Sequence, residues 1–374
     1  MSTLHSRSTK LVIVTTVPET LLTILRGQPR WLNEYYEVEC VSSPGPALDK
    51  VREIEGVVVH GLPMQRGISP IRDLIAVFRM WWLLLRLSPC AVHSYTPKAG
   101  LVAMLGGFLA SVPVRIHTFT GLIFPTASGA KRRILVLMDR LICALATRVI
   151  PEGEGVRRDL EEFKVTRKPM KVIGSGNIAG VDTGYFAPDR RASLGIDGFV
   201  FCFVGRLNRD KGIGELVNAF IQLPETAQLL LVGEVDETAP IGSDMVSVIQ
   251  QHPRIHAVGF LEDIRPALTS ASVLVLPSYR EGFPNVVLQA GAMALPVIAT
   301  DINGCNEVIE PDFNGWLVPA KNVEQLAQTM AEAMSLENTK LKEMGDNARK
   351  RICERFERER YLGHLLTFYR EVIA

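Results

Sequence analysis

The chain has 374 residues, 47% of them hydrophobic and 22% charged, which excludes a disordered polypeptide and leaves room for about two globular domains. Its net charge of +1 hides an asymmetry: residues 1–185 carry 23 Lys+Arg against 15 Asp+Glu, and the remainder carries 18 against 25. The basic half fits a phosphate-bearing partner or an anionic membrane surface.

In chain order, the apolar run of MSTLHSRSTKLVIVTTVPE is too short for a signal peptide, and Pro18 and Glu19 close it. KLVIVTTV (10–17) reads as a buried strand followed by a turn and a helical pattern. Further strands are expected near 37–42, 57–61, 91–95, 114–118, 147–150 and 171–173, with helices between them. Residues 71–87, IRDLIAVFRMWWLLLRL, are one such helix. Either it faces the core, or its mixture of Trp, Leu and Arg lies on a membrane surface. Lys131, Arg132 and Arg133 form a second basic cluster. No uncharged apolar stretch reaches about 18 residues, so a spanning helix is not expected and the protein reads as soluble, at most attached to a membrane surface. The run Gly174–Gly180, GSGNIAG, has G-x-G-x-x-x-G spacing with no helical pattern after it. It is a crossover into a second domain, not a dinucleotide loop.

Residues 183–198, TGYFAPDRRASLGIDG, collect Pro, Gly and charge without periodicity and read as the linker. FVFCFVGRL (199–207) then repeats the opening pattern, with strands expected near 228–232, 255–259, 272–276 and 296–299. Short buried strands alternating with helices in both halves give an α/β class: two Rossmann-like, doubly wound parallel-sheet domains facing a cleft. The six cysteines are scattered, with no CxxC or Cys/His cluster. Neither a zinc site nor a disulfide framework is indicated, and a reducing compartment fits.

Two loops carry chemistry. After strand 199–204 comes Gly205-Arg206-Leu207-Asn208-Arg209-Asp210-Lys211-Gly212, which puts two cations near a helix start, where an anion is already favoured. A surface turn with solvated charges has the same composition. After strand 272–276, Glu281-Gly282-Phe283-Pro284 leads into a helix from Asn285. Gly282 and Phe283 offer backbone N–H groups, Pro284 suits the first turn, and Asn285 and Gln289 share a face. The carboxylate of Glu281 can accept hydrogen bonds from hydroxyl groups. Its other reading is a capping residue, with Gln289 a satisfied amide. In the first half, His93 and Lys98 stand at a strand end and the next helix start, and His117 at the end of another strand before Gly121.

The pairing of G-R-x4-K-G with the E-G-F-P-N helix, followed by Gly304–Glu307 (GCNE) and Asn314-Gly315, resembles the retaining nucleotide-sugar glycosyltransferases of family 4, of GT-B fold. The resemblance is strong over about 199–320 and extends more weakly to the rest. It implies an acceptor domain (1–185), a nucleotide-sugar domain (186–355) and a C-terminal helix (356–374) crossing back to the first. It implies that Glu281 contacts the transferred sugar, that Arg206 and Lys211 neutralise the leaving diphosphate, and that Gly205, Gly233, Phe260, Gly282, Phe283, Pro284, Asn285 and Gln289 contribute to the donor site. Where the family has a second Glu, this chain has Gln289, which can still bond ribose hydroxyls at a loss on the order of 1 kcal/mol. His117 matches the family's His-x-x-x-Gly arrangement and would stand near the anomeric carbon. His93 and Lys98 would meet the acceptor. After the first strand the chain reads TTVPE where the family often has Gly-Gly.

The activity this implies is transfer of a hexose or N-acetylhexosamine from a UDP-sugar to a sugar on polyprenyl diphosphate, in bacterial surface polysaccharide synthesis. No cofactor, metal or nucleic acid enters that reading. The location it implies is cytoplasmic, at the inner face of the membrane, held there through the basic first domain. A nucleotide-sugar epimerase and a non-catalytic nucleotide-sugar-binding subunit are the alternatives.

Overall fold

The computed structural model describes residues 9–65, 67, 69–188, 193–236 and 239–373. The chain forms two units, Met1–Ala179 with Tyr361–Ala374, and Gly180–Arg360.

The first unit is a six-stranded parallel sheet. Its strands are β1 (Lys10–Val14), β2 (Glu37–Ser42), β3 (Val58–Gly61), β4 (Ala91–Tyr95), β5 (Val114–Phe119) and β6 (Arg148–Pro151), in the order β3-β2-β1-β4-β5-β6. Helices α1 (Gln28–Leu32), α2 (Pro46–Glu55), α3 (Pro70–Leu87), α4 (Pro97–Leu109), α5 (Gly129–Leu145) and α6 (Glu154–Glu162) connect or follow the strands. Residues 171–173, expected as a strand, are not one. Only an isolated bridge joins Val149 to Met170, so the segment passes the sheet edge without pairing further.

The second unit repeats the plan. Its elements are β7 (Phe199–Val204), α7 (Ile213–Phe220), β8 (Ala227–Val232), α8 (Ser243–Gln251), β9 (Ile255–Gly259), α9 (Arg265–Ser270), β10 (Val273–Leu276), α10 (Asn285–Ala292), β11 (Val297–Thr300), α11 (Cys305–Val308), β12 (Gly315–Val318), α12 (Val323–Ser335) and α13 (Asn338–Arg355). The sheet order is β12-β11-β10-β7-β8-β9, which read from the other edge is the order of the first sheet. In each sheet, therefore, the direction of winding reverses between the first and fourth strands, β1/β4 and β7/β10. Loops leaving the carboxyl ends of those strands border the crevice where open α/β sheets bind ligands. Strand β12 escapes sequence reading because Trp316 and Leu317 sit between turn residues with no alternation.

Both faces of each sheet are covered by helices, so the strands are apolar throughout: Leu11, Val12, Ile13 and Val14 are all fully buried, as are Phe201, Cys202 and Phe203. The final helix, α14 (Arg358–Ile373), completes the first unit's core. Its Tyr361, Leu362, Leu365, Phe368 and Tyr369 pack with Leu11, Ile13, Cys40 and Ile116.

The chain passes between the units at 179/180 and 360/361, not at 185/186 and 355/356. Gly180 marks the first passage. At its φ of +63° an added Cβ would stand 2.7 Å from Cα of Arg358, where Val181 and Glu357 form a bridge. The stretch 183–198 is part of the second unit and not a free linker. Phe186 joins that unit's core, and the Arg265 guanidinium lies 3.7 Å above the Tyr185 ring; positions 189–192 lie outside the described residues.

Candidate functional site

The β7/β10 switch point gathers most of the expected donor-site residues. Strand β7 runs out at Val204, and Gly205 turns the chain with φ +154°. Gly233, at the end of β8, has φ +137°, and an added Cβ would stand 1.9 Å from the carbonyl oxygen of Gly205. The two glycines thus let two strand ends touch through bare backbone.

Beyond Gly205 the loop is braced by Asn208, which sequence reading did not single out. Its side chain accepts from the Lys211 N–H at 2.9 Å, capping a short 3-10 turn, and donates to Asp236 at 3.0 Å. Asp236 also takes Arg206, whose side chain is otherwise largely exposed. Gly212 closes the turn at φ +70°. A Cβ there would meet the Pro277 carbonyl oxygen at 2.1 Å, so α7 can begin directly beneath the β10 loop.

The β10 loop brings Glu281 to Lys211. Lys211 Nζ donates to Glu281 Oε1 at 2.5 Å, and Ser278 Oγ donates to the same oxygen at 2.7 Å. Ser278 is fully buried, and its carbonyl in turn accepts from Thr300 Oγ1 at 2.5 Å. Glu281 therefore presents one engaged oxygen and one, Oε2, with no partner among the described residues. Tyr279 N–H donates to Asp210 O at 2.8 Å, and Arg280 donates to the Asp210 carboxylate at 3.2 Å, tying the two loops together twice more. Burial pushes the neighbouring Cys305 thiol well up, and the Glu281 carboxylate adds to the shift.

Phe283 turns its ring into the core, 5.5 Å from Phe356, which leaves Gly282 and the backbone of the loop at the surface. Pro284 immediately precedes α10 at φ −74° and supplies no N–H, and Asn285 is the first helical residue. Gly304 at φ +78° packs against this turn, where a Cβ would meet Gly282 O at 2.5 Å, and its N–H reaches Glu307 at 3.3 Å. Gln289 is half-buried and its amide makes no hydrogen bond among the described residues. Phe260, 69% exposed, follows β9, one residue after Gly259, whose carbonyl accepts from Gly233 at 2.8 Å. Lys211 and Glu281 meet directly. Arg206 is held by Asp236, and neither it nor Gln289 bonds that pair among the described residues.

The first unit places its expected residues differently. His117 is not at the surface. It sits mid-strand in β5, fully buried, with Nδ1 2.9 Å from Ser94 Oγ and Nε2 unpartnered among the described residues. Its ring lies against α4, where a Cβ on Gly100 would stand 2.4 Å from Cε1. The ring is thus enclosed between β5 and α4, where the sequence expectation had it at a strand end beside the reacting sugar. His93 is likewise fully buried. Nδ1 lies 2.6 Å from Tyr369 OH and Nε2 2.7 Å from Thr118 Oγ1, so both ring nitrogens are used inside the protein and no acceptor reaches them. Burial holds both imidazoles down at about 3. Lys98 is engaged with Asp73 at 2.5 Å. What borders the β1/β4 switch point instead is a set of hydroxyls. Thr16 Oγ1 lies 2.7 Å from Thr96 Oγ1 and accepts from Ala99 N–H at 3.3 Å, and Thr15 bonds Ser42 at 3.0 Å. Their signal in the sequence was present, since Thr15, Thr16 and Thr96 lie just past the last residue of a strand and Ser42 is the last residue of β2.

Among the described residues, no group of three or more His, Cys, Asp or Glu is placed to hold a metal ion, and no helix is long and apolar enough to cross a membrane.

Comparison with known proteins follows the same division. Residues 198–335 match the family model described as glycosyl transferases group 1, and residues 23–176 match a glycosyl transferase 4-like domain. The chain is similar to the capsular polysaccharide biosynthesis glycosyltransferase CapM of Staphylococcus aureus, at 28% identity over 92% of this chain and 93% of that protein. It is 24% identical to the UDP-Gal:alpha-D-GlcNAc-diphosphoundecaprenol alpha-1,3-galactosyltransferase of Escherichia coli, over 91% of each. It is 30% identical to the alpha-maltose-1-phosphate synthase of Mycolicibacterium smegmatis, over 76% of this chain and 79% of that protein. A solved sucrose-phosphate synthase from Thermosynechococcus elongatus superposes with a TM-score of 0.79 at 21% identity, covering 97% of this chain and 98% of that one, which fixes the fold as GT-B.

Proposed function

Because the chain belongs to the group 1 glycosyltransferases of the GT-B fold, we propose that it transfers a hexose or N-acetylhexosamine from a UDP-sugar to a sugar carried on polyprenyl diphosphate, with retention of anomeric configuration. The Lys211–Glu281 pair at the β7/β10 switch point carries this reading. It sets a cation and a hydroxyl-accepting carboxylate side by side on loops closed by glycines that leave no room for a side chain.

In the proposed reaction, Lys211 and Arg206 stabilise the charge that develops on the departing diphosphate, each exchanging a carboxylate for a phosphate oxygen. Glu281 holds hydroxyls of the transferred sugar through Oε2, while Ser278 keeps hold of its other oxygen once Lys211 has turned to the phosphate. His117, enclosed with Nδ1 on Ser94, is not assigned as a base in this reaction. Front-face substitution, in which the departing phosphate takes the acceptor's proton, suits this arrangement. Gln289 would bond the ribose hydroxyls through an amide not engaged elsewhere. The acceptor class rests on the name of the Escherichia coli relative and on the basic first unit. Together they favour work at the inner face of a membrane.

The test is release of UDP from a panel of UDP-sugars in the presence of a lipid-linked acceptor extract. Activity abolished in both Glu281→Ala and Arg206→Ala is the expected result. Full activity in both variants overturns the assigned roles, and consumption of donor without acceptor identifies an epimerase.

A further inference from the structure

Helix α3 has two apolar faces, and only one of them is used by the fold. Ala76, Val77, Met80 and Leu84 are buried in the first unit. On the other side Ile71, Leu74, Ile75, Phe78, Trp82 and Leu85 recur at three- and four-residue steps, and all are exposed, Leu74 at 72% and Phe78 at 61%. A solvated surface helix would carry polar residues there. The layer continues: α3 packs on α4, α4 packs on α5, and α5 shows a second stripe of Ile134, Leu137 and Leu141. Phe108 and Leu109 at the end of α4 are exposed as well. An exposed apolar surface spread over three helices is more than scattered surface hydrophobics and marks an interaction site.

The charges beside it select the occupant. These three helices carry eight cations (Arg72, Arg79, Arg86, Lys98, Lys131, Arg132, Arg133 and Arg140) and two carboxylates. One carboxylate, Asp73, is taken by Lys98, and the other, Asp139, is buried. The seven arginines and lysines other than Lys98 have no carboxylate partner among the described residues. Along α3, Arg72, Arg79 and Arg86 repeat every seven residues and so form a row flanking the apolar stripe. A second copy of this chain placed face to face would bring cations against cations. An anionic lipid surface supplies headgroup phosphates to the arginine row and acyl chains to the stripe between.

We propose that the outer face of α3, extended by α5, is the surface on which this protein lies on an anionic membrane, with Phe78 and Trp82 inserted at the headgroup boundary and Arg79 and Arg86 on lipid phosphates. This deepens the reading above, since it rests on an acceptor held in a bilayer. It adds that apolar insertion, and not attraction of opposite charges alone, holds the protein there. The final turn of the stripe, at Leu85, also walls a groove of about 570 Å³ with Cys90, Val112 and Ile373, so the apolar surface does not stop at the helix end.

The experiment is co-sedimentation of the full chain with phosphatidylglycerol vesicles and with phosphatidylcholine vesicles, alongside UDP affinity by titration calorimetry and mass by sedimentation velocity. Wild type is expected on phosphatidylglycerol only. Phe78→Ser with Trp82→Ser should weaken binding about tenfold, and Arg79→Ser with Arg86→Ser about fivefold for each cation removed. UDP affinity should be unchanged in both. Absence of wild-type protein from phosphatidylglycerol vesicles, undiminished binding by Phe78→Ser with Trp82→Ser, or a wild-type dimer that this variant splits into monomers would each overturn the proposal. Vesicle binding as expected without any UDP affinity leaves the docking surface standing and removes the functional reading instead.

Discussion

The two switch points have the same strand order and opposite contents. At β7/β10 the loops carry Arg206, Lys211, Asp236 and Glu281, held apart from the core by glycines whose missing side chains make room for neighbouring backbone. At β1/β4 the loops carry Thr15, Thr16 and Thr96, bonded to one another or to Ser42 at the end of β2. The charged rim can trade internal partners for a diphosphate, because each ion pair is a ready exchange of one anion for another. The hydroxyl rim has no net charge to trade. One topology thus supports a site that concentrates charge and one that does not, and the difference lies wholly in the residues just past the strand ends.

The sharpest way to break the comparison is to fill the contact that shapes the charged rim. Gly233→Val, with its Cβ 1.9 Å from a carbonyl oxygen, should abolish UDP binding and lower stability by at least about 2 kcal/mol, read by calorimetry and urea unfolding. Glu281→Gln should reduce kcat/KM on the order of 100-fold while the fold persists, since Ser278 can still bond the amide oxygen. Acid should act on the other unit. His93 and His117 are held neutral in the fold with values of about 3, against 6.5 in the open chain. Unfolded chain therefore binds protons that the folded one does not, and the urea midpoint should fall as pH drops from about 6.5 toward 3, and stay flat above that window on their account. Tyr369→Phe removes the 2.6 Å bond to His93 and should cost about 1 kcal/mol, with faster amide exchange across α14. The smallest effect belongs to Gln289→Glu: UDP affinity should rise by no more than about tenfold, with kcat nearly unchanged.

The doubly wound class and most strands were legible because a sheet covered on both faces must be apolar along its length, as in FVFCFV and VLVL. The loops of the charged rim were legible too, since Gly205-Arg206 follows directly on one such run and Glu281-Gly282 comes after the four residues Pro277–Arg280 that follow another. The enclosure of the histidines follows a rule that the same sheet supplies. His93 and His117 each stand two residues before the end of a strand, and in a sheet covered on both faces any mid-strand side chain is enclosed, whichever way it points. Asp236 was missed because its partners are distant in sequence, whereas Asn208 and Ser278 each bond a group three residues on, the Lys211 N–H and the Glu281 carboxylate, a spacing open to sequence reading. Asp236 lies 28 residues from Asn208, and the bond between them records a tertiary neighbour that no spacing encodes.

The placement of α14 has a consequence for synthesis on the ribosome. The first unit's core includes Leu365 and Tyr369, so a nascent chain that has delivered all six of its strands still has an open slot beside Leu11 and Ile116. The second unit, continuous from Gly180 to Arg360, has its own core complete before that slot is filled. The part made first is therefore the part finished last, and until then its unfilled seam is where a chaperone would bind.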